Sequence, residues 1–267
     1  MKSLSRFFIL TFIWSWVIWI SIAILNAGVF NLSLELPQQV ITPILALGAF
    51  GPLVGILFTL PGEEGKGANR KYLKKFLDIN LGWRAYLFSF LILGGLNFVA
   101  WIFPEFFGHD RLPMLFPSIW VFFPYLILMM FLGGGQEEFG WRGYAMPRLE
   151  KEYGVWVGNL ILGTVWGVWH LPLWFIEGTG QTYMPFGGFV IFTIGSSYIL
   201  SWILNISGNK PFAGLYAHGL SNALIPMIPA LDMRLDVPQP RFWIWVLITL
   251  LTGIIITFFR TYKTGKK

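Results

Sequence analysis

The sequence contains no cysteine and little charge. Only 12% of its 267 residues are charged, whereas 55% are hydrophobic and 18% are aromatic. The absence of cysteine excludes a disulfide scaffold, a thiolate metal site and a cysteine nucleophile. The scarcity of charge excludes a soluble domain of this size, because such domains usually contain about 25% charged residues. The composition therefore predicts a single integral membrane domain over residues 1–267, in contact with a lipid bilayer.

Eight apolar segments are long enough to cross a bilayer, which takes about 20 residues in a helix. We therefore expect an all-α, polytopic membrane protein with about eight transmembrane helices. The first segment is too long for a signal peptide and lacks a small-x-small cleavage site, so it is expected to be a retained helix. The segments lie at about 7–27, 40–60, 85–104, 118–136, 155–176, 188–206, 212–229 and 242–260.

The basic residues lie between these segments and at the chain ends. With an inner N-terminus, 16 of the 19 Lys and Arg residues fall on the inner side of the membrane and 3 on the outer side. This asymmetry predicts that both termini are cytoplasmic. The net charge of +6 forms no basic stripe, so a nucleic-acid partner is not expected. Small-residue spacing at Gly51 and Gly55, and at Gly163 and Gly167, predicts close helix packing. This packing can occur within one chain or between two, so the spacing does not predict the oligomeric state.

A charged stretch, Gln136–Arg142, lies at the inner end of the fourth apolar segment. Ionisable groups at such a position must be paired or hydrated. Glu138 and Arg142 are four residues apart, so on a helix they are expected to pair. Glu137 is then left without a partner and becomes a candidate for chemistry. A second acidic pair, at 63–64, lies in a loop rich in Gly and Lys and is expected to be solvated.

Polar side chains also occur inside two later apolar segments. His170 lies in the fifth segment, two residues before Pro172, which is expected to end or kink the helix there. His218 and Asn222 lie in the seventh segment on one helix face. Because convergence with Glu137 would satisfy all of these groups, we predict one shared site.

Straight helices would not bring the two histidines to the same depth. At about 1.5 Å per residue, His218 would lie about 9 Å from the inner boundary and His170 more than about 20 Å. The fifth helix is therefore expected to begin outside its span, near 151–156, or to be strongly tilted. The fourth helix is expected to continue past Glu137 to about Pro147.

The residue types in this predicted site fit amide hydrolysis by water. A carboxylate and an imidazole can together remove a proton from water, and imidazole and carboxamide N–H groups can stabilise an oxyanion. Zinc is the alternative, with Glu137, His170 and His218 as ligands and water in the fourth position. Asn222 is not a usual zinc ligand, and the chain has no HExxH helix. The metal-free interpretation, without a cofactor, is therefore favoured over zinc.

The same residues form three motifs that resemble the CAAX prenyl protease and bacteriocin-processing family of intramembrane proteases, also called the CPBP or Abi family. The resemblance covers residues 118–230, the expected catalytic core. The family usually has phenylalanine where this chain has Trp166. In chain order the motifs are Glu137-Glu138-x-x-x-Arg142, Trp166-x-x-x-His170 and His218-x-x-x-Asn222.

This resemblance implies a catalytic cavity open towards the cytoplasm of a bacterial or archaeal cell. It implies that Glu137 activates water with the help of His170, while His218 and Asn222 stabilise the oxyanion. The implied partner is a membrane-anchored or lipidated protein or peptide, including prenylated CAAX-type proteins. The implied supporting residues are Glu138, Arg142 and Trp166.

Other functions remain open at this point. Buried ionisable residues also mark proton or ion paths, so a coupled membrane carrier is one alternative. A non-catalytic bacteriocin-immunity protein with the same fold is another. Gly195-Ser196-Ser197 is faintly similar to the glycine-flanked serine of rhomboid-type proteases, but its spacing from His218 does not match that family well.

Overall fold

The computed structural model describes residues 2–27, 37–116, 118–234 and 237–264. The chain ends used in the orientation prediction, Met1 and 265–267, lie outside these ranges. Within the described ranges the chain is helical and contains no strand. Its α-helices are α1 (Lys2–Asn26), α2 (Gln38–Gly48), α3 (Gly51–Glu64), α4 (Ala68–Lys74), α5 (Trp83–Ile102), α6 (Phe122–Phe131), α7 (Met146–Trp169), α8 (Phe186–Ile206), α9 (Phe212–Leu224) and α10 (Pro240–Thr264).

Five helical stretches in the described ranges are long and apolar enough to cross a membrane. A sixth candidate is the pair Ile119–Phe131 and Gly135–Phe175, which is bent by 42°. The seventh predicted segment forms α9, which has only 13 residues. The all-helical membrane architecture is confirmed, whereas the count of eight helices and the cytoplasmic opening are not. The five stretches are Lys2–Asn26, Gln38–Glu64, Trp83–Phe107, Phe186–Ile206 and Pro240–Tyr262.

Small residues allow the helices to approach closely, as their spacing predicted. α1 packs on α3, and a side chain at Gly51 would overlap the Ser15 hydroxyl. α7 packs on α8, where the Thr193 hydroxyl donates a hydrogen bond of 2.9 Å to the carbonyl of Gly163. α8 packs in turn on α10, and α6 on α9. These glycine positions therefore serve packing within one chain.

The fourth helix does not continue past Glu137, so that prediction was wrong. α6 ends well before this residue, and the chain then forms a 3-10 turn at Gly135–Phe139 and a π-helical turn at Trp141–Ala145. Gly134, between α6 and the first turn, has φ 121°, a conformation that favours glycine. The break presents the two adjacent glutamates on a tight turn rather than on a regular helix.

α7 begins at Met146, before the apolar span predicted to start at 155. Gly154 interrupts its helical backbone with φ 77° and ψ 172°. At the other end the helix stops at Trp169, and Pro172 lies in the 3-10 turn that follows. The predicted effect of the proline beside His170 is therefore confirmed.

A polar network joins α7, α8 and α10 at one end of the bundle. The Arg260 guanidinium donates to both Glu150 carboxylate oxygens, at 3.0 and 2.9 Å. The Asn159 amide and the Ser201 hydroxyl donate to the same carboxylate. Ser197, which the sequence offered as an alternative nucleophile, donates to the Asn159 side chain at 3.2 Å. In this structure Ser197 is thus part of helix packing.

Candidate active site

Glu137 lies in the 3-10 turn and is only 4% exposed. Its Oε2 accepts a hydrogen bond of 2.7 Å from the indole Nε1–H of Trp166. Its Oε1 lies 3.8 Å from Nε2 of His170. The Nδ1 of His170 lies 2.8 Å from the Trp166 carbonyl oxygen, which can only accept. The proton of a neutral His170 therefore lies on Nδ1, and its Nε2 lone pair faces Glu137.

Glu138, the next residue of the turn, is completely buried and has different partners. Its Oε1 accepts from Nη1 of Arg142 at 2.9 Å, so the predicted pair is confirmed. The same oxygen accepts from Nδ1 of His218 at 2.8 Å, a contact that sequence spacing did not predict. The Arg142 guanidinium also lies 4.5 Å from the ring centre of Trp166, where a cation is attracted to the aromatic face.

His218 and Asn222 both face the α-carbon of Gly134. A side chain at Gly134 would overlap Nδ2 of Asn222 and Nε2 of His218, so these two nitrogens lie beside the same point. One N–H of the Asn222 amide donates to the Gly133 carbonyl oxygen at 2.6 Å. The amide has a second N–H group, because a carboxamide nitrogen carries two hydrogens. The two predicted donors are therefore neighbours in space.

Gly134 and Gln136 were missed as parts of this arrangement. The backbone N–H of Gly134 donates to Oε1 of Gln136 at 2.8 Å, which fixes the glycine turn beside the two donors. Three consecutive glycines, 133–135, separated from the glutamate pair by Gln136 alone, were the available signal. Such a run favours close backbone approach and unusual dihedral angles.

Trp166 contacts both halves of the site. Its ring lies 5.2 Å from the ring of His218 and 6.1 Å from that of His170. The structure therefore brings the predicted residues together in one site, while their chemical roles stay predictions. The residues so gathered are Glu137, Glu138, Arg142, Trp166, His170, His218 and Asn222.

Helix α1 closes the side of the site behind His170, which sequence reasoning also missed. The Trp19 ring stacks on the His170 imidazole, with ring centres 6.2 Å apart. The Trp169 ring meets the same imidazole edge to face, with ring centres 4.6 Å apart. The indole N–H of Trp16 donates to the Trp169 carbonyl at 2.9 Å. Nothing in the sequence of α1 distinguishes these tryptophans from lipid-facing aromatic residues. Only the packing shows that they position His170.

The described residues contain no group of three or more His, Asp or Glu side chains placed to hold a metal ion. Glu137, His170 and His218, the residues considered as zinc ligands, therefore do not form a ligand set in this structure. The imidazole of His218 is instead oriented by Glu138.

Known proteins resemble the part of the chain that contains this site. The family model described as type II CAAX prenyl endopeptidase Rce1-like matches residues 118–224, which include all three motifs. The resemblance to CAAX prenyl proteases is confirmed. CAAX prenyl protease 2 of Methanococcus maripaludis is 34% identical over 85 residues. That similarity spans 32% of this chain and 28% of the relative's length.

Proposed function

We propose that this protein is an intramembrane endopeptidase that cleaves a peptide bond near the end of a membrane-anchored protein or peptide. The observation that carries the proposal is that Trp166 contacts Glu137 and both histidines. Its indole N–H donates to Glu137, its ring centre lies 6.1 Å from that of His170 and 5.2 Å from that of His218, and Asn222 lies beside His218. The similarity to a CAAX prenyl protease favours prenylated CAAX-type proteins as substrates.

In this proposal Glu137 and His170 activate the attacking water. The gap of 3.8 Å between Oε1 and Nε2 is too long for a good direct hydrogen bond. A water molecule between the two atoms can donate one hydrogen to each of them. Glu137 then takes a proton while the water oxygen attacks the carbonyl carbon of the substrate. His170 orients this water, and its own orientation is held by the Trp166 carbonyl.

Stabilisation of the resulting oxyanion belongs to His218 and Asn222. Because Nδ1 of His218 donates to Glu138, its Nε2 can donate to the oxyanion only when the ring is an imidazolium. With His218 protonated, the buried set holds two carboxylates, one guanidinium and one imidazolium, and so has no net charge. A buried set without net charge avoids leaving an unpaired ion in the bundle. The second donor is the free N–H of Asn222.

Collapse of the tetrahedral intermediate completes the reaction. The proton held by Glu137 passes to the amide nitrogen as the C–N bond breaks, which gives an amine and a carboxylic acid. Glu138 and Arg142 do not contact the reacting atoms in this scheme. They are positioning residues, because their ion pair fixes the orientation of His218. The cytoplasmic termini belong to this proposal and are supported by the charge asymmetry of the sequence. The cytoplasmic opening of the site also belongs to it and is implied by the family resemblance.

The proposal is tested by proteolysis with purified protein in liposomes. The probes are a farnesylated CAAX-type peptide, its unlipidated form and a set of membrane-spanning peptides. Wild type is compared with Glu137→Gln and with Glu152→Gln, an exposed acid on α7 that serves as a matched control. Each protein is assayed with chelator and with added zinc.

We expect cleavage by wild type and by the Glu152 variant that survives chelation, and no cleavage by the Glu137 variant. Cleavage lost to chelator and restored by zinc would replace the metal-free mechanism by a zinc mechanism. If folded wild type cleaves none of the peptides, the protease assignment fails for these substrate classes. Solute flux in the same liposomes then tests the alternative function as a coupled membrane carrier.

A further inference from the structure

A groove of about 500 Å³ lies between α5, α8 and α10, and none of the candidate active-site residues lines it. We propose that this groove binds the headgroup of an anionic phospholipid. The inference is independent of peptidase activity, because no motif residue lines the groove. The lining residues are Arg84, Phe88, Trp202, Asn205, Ile206, Phe259 and Arg260.

The groove lies where three membrane-spanning helices reach the same side of the bundle. Arg84 is in the first turn of α5, Asn205 in the last turn of α8, and Arg260 in the last turns of α10. The amide groups at the start of a helix add positive potential, which favours an anion beside Arg84. By the charge asymmetry of the sequence this side is the cytoplasmic one, where a lipid phosphate lies level with helix ends.

The free positive charge of the groove comes from Arg84. Arg260 is already bound by both oxygens of Glu150, so its charge is largely compensated. Arg84 is exposed, and no carboxylate is among the described residues that line the groove. Its guanidinium lies 5.6 Å from the ring centre of Trp83, an aromatic contact that leaves its positive charge uncompensated. A guanidinium in this setting matches the geometry of a phosphodiester.

Asn205 adds a polar group from α8 to the lining of the groove. Its side chain is exposed at the end of α8 and offers amide N–H groups. Together the guanidinium of Arg84 and this amide provide donors from two helices. The groove is therefore suited to a phosphate oxygen rather than to a cation.

The remaining walls are apolar, which points to a lipid rather than to free phosphate. The Phe88 and Trp202 rings meet edge to face at 6.0 Å, and Phe259 is 56% exposed. Tryptophan is enriched where membrane meets water, because its ring is amphipathic. A ligand with a charged head and hydrocarbon tails would satisfy both kinds of wall, while inorganic phosphate would use only Arg84 and Asn205.

A cationic cavity elsewhere in the protein provides a control for charge alone. It has a volume of about 600 Å³ and is lined by Arg70, Lys71, Lys74 and Lys75. Lys75→Gln removes one positive charge from this cavity without touching the groove. Arg84→Gln removes one positive charge from the groove. Both side chains are exposed, so both variants are expected to fold.

The test is native mass spectrometry of purified protein released from detergent with phosphatidylglycerol or phosphatidylcholine of identical chains. We expect wild type to bind one phosphatidylglycerol about fivefold more tightly than phosphatidylcholine, the contribution of one basic residue near an anionic lipid. Arg84→Gln should lose this preference, and Lys75→Gln should keep it. Glycerol 3-phosphate and inorganic phosphate serve as tail-free competitors and should not displace the lipid at millimolar concentration.

Three results would overturn the proposal. Equal binding of the two lipids by wild type would show that the groove does not select an anionic headgroup. An equal loss in the Arg84 and Lys75 variants would reduce the effect to overall surface charge. Displacement by inorganic phosphate would assign the groove to a free anion instead of a lipid.

Discussion

The hydrogen bond from Trp166 to Glu137 leads us to predict that removal of one indole N–H group lowers the peptidase activity. Trp166→Phe keeps an aromatic ring under the Arg142 guanidinium but removes the indole N–H that donates to the carboxylate at 2.7 Å. Phenylalanine is also the residue that the resembled family usually has here, so the variant should fold. The carboxylate would then lack its buried donor and its fixed orientation.

The size of the effect follows from the charge on the acceptor. A hydrogen bond to a charged group contributes about 1.5–3 kcal/mol, and about 1.4 kcal/mol corresponds to a factor of ten. If this bond holds Glu137 for proton abstraction, Trp166→Phe should lower kcat/KM by about 10- to 100-fold. The loss should fall mainly on kcat, because the indole N–H is bonded to Glu137 and is not free to bind the substrate.

Trp245→Phe is the matched control. Trp245 is also buried, but it lies on α10 and its ring packs on Phe192 rather than on a residue of the site. Both variants lose the same atoms, and thermal unfolding in the same detergent shows that both are folded before activity is compared. Cleavage of a farnesylated CAAX-type peptide in liposomes should separate them. If kcat/KM of the two variants agrees within threefold, the indole N–H does not position Glu137 and our account of Trp166 is wrong.

Three further substitutions test other parts of the structure. Arg142→Ala should lower the free energy of unfolding by about 3–5 kcal/mol, because it leaves the buried Glu138 without its ion-pair partner; an unchanged midpoint of thermal unfolding in detergent would contradict this. Gly134→Ala should reduce kcat at least about 100-fold by displacing the two oxyanion donors, whereas Gly187→Ala, where a methyl group meets open space, should not. Ser197→Ala should cleave the same peptide at nearly the wild-type rate, and inactivity of the folded variant would restore the serine hypothesis.

The membrane architecture and the convergence of the site residues could be predicted from two free-energy costs. These are the cost of exposing a long apolar helix to water and the cost of burying an ionisable group without a partner. A long apolar helix is stable only in lipid or in a core, and buried ionisable groups must find partners. Glu138 and Arg142 therefore had to pair, and the isolated histidines had to meet other polar groups. Pro172 ended its helix because proline lacks the backbone N–H and cannot continue the regular pattern.

The local backbone could not be predicted in the same way. A continuous fourth helix past Glu137 agreed with hydropathy, but the glycine run at 133–135 permits a turn that hydropathy does not detect. Glu63 is exposed, as expected, but its carboxylate also bonds to Tyr144 and Arg148, which the sequence did not predict. These contacts are far apart in sequence, so no local pattern encodes them.

The packing of α1 against the site limits how this protein can be recombined. The similarity to known proteases begins at residue 118, yet Phe7 packs on Trp141 and Trp19 packs on His170. A chimaera that joins residues 118–224 to the first helix of a distant relative would replace these aromatic contacts with unmatched ones. Domain exchange should therefore succeed only when the N-terminal helix and the motif-bearing helices are transferred as a unit.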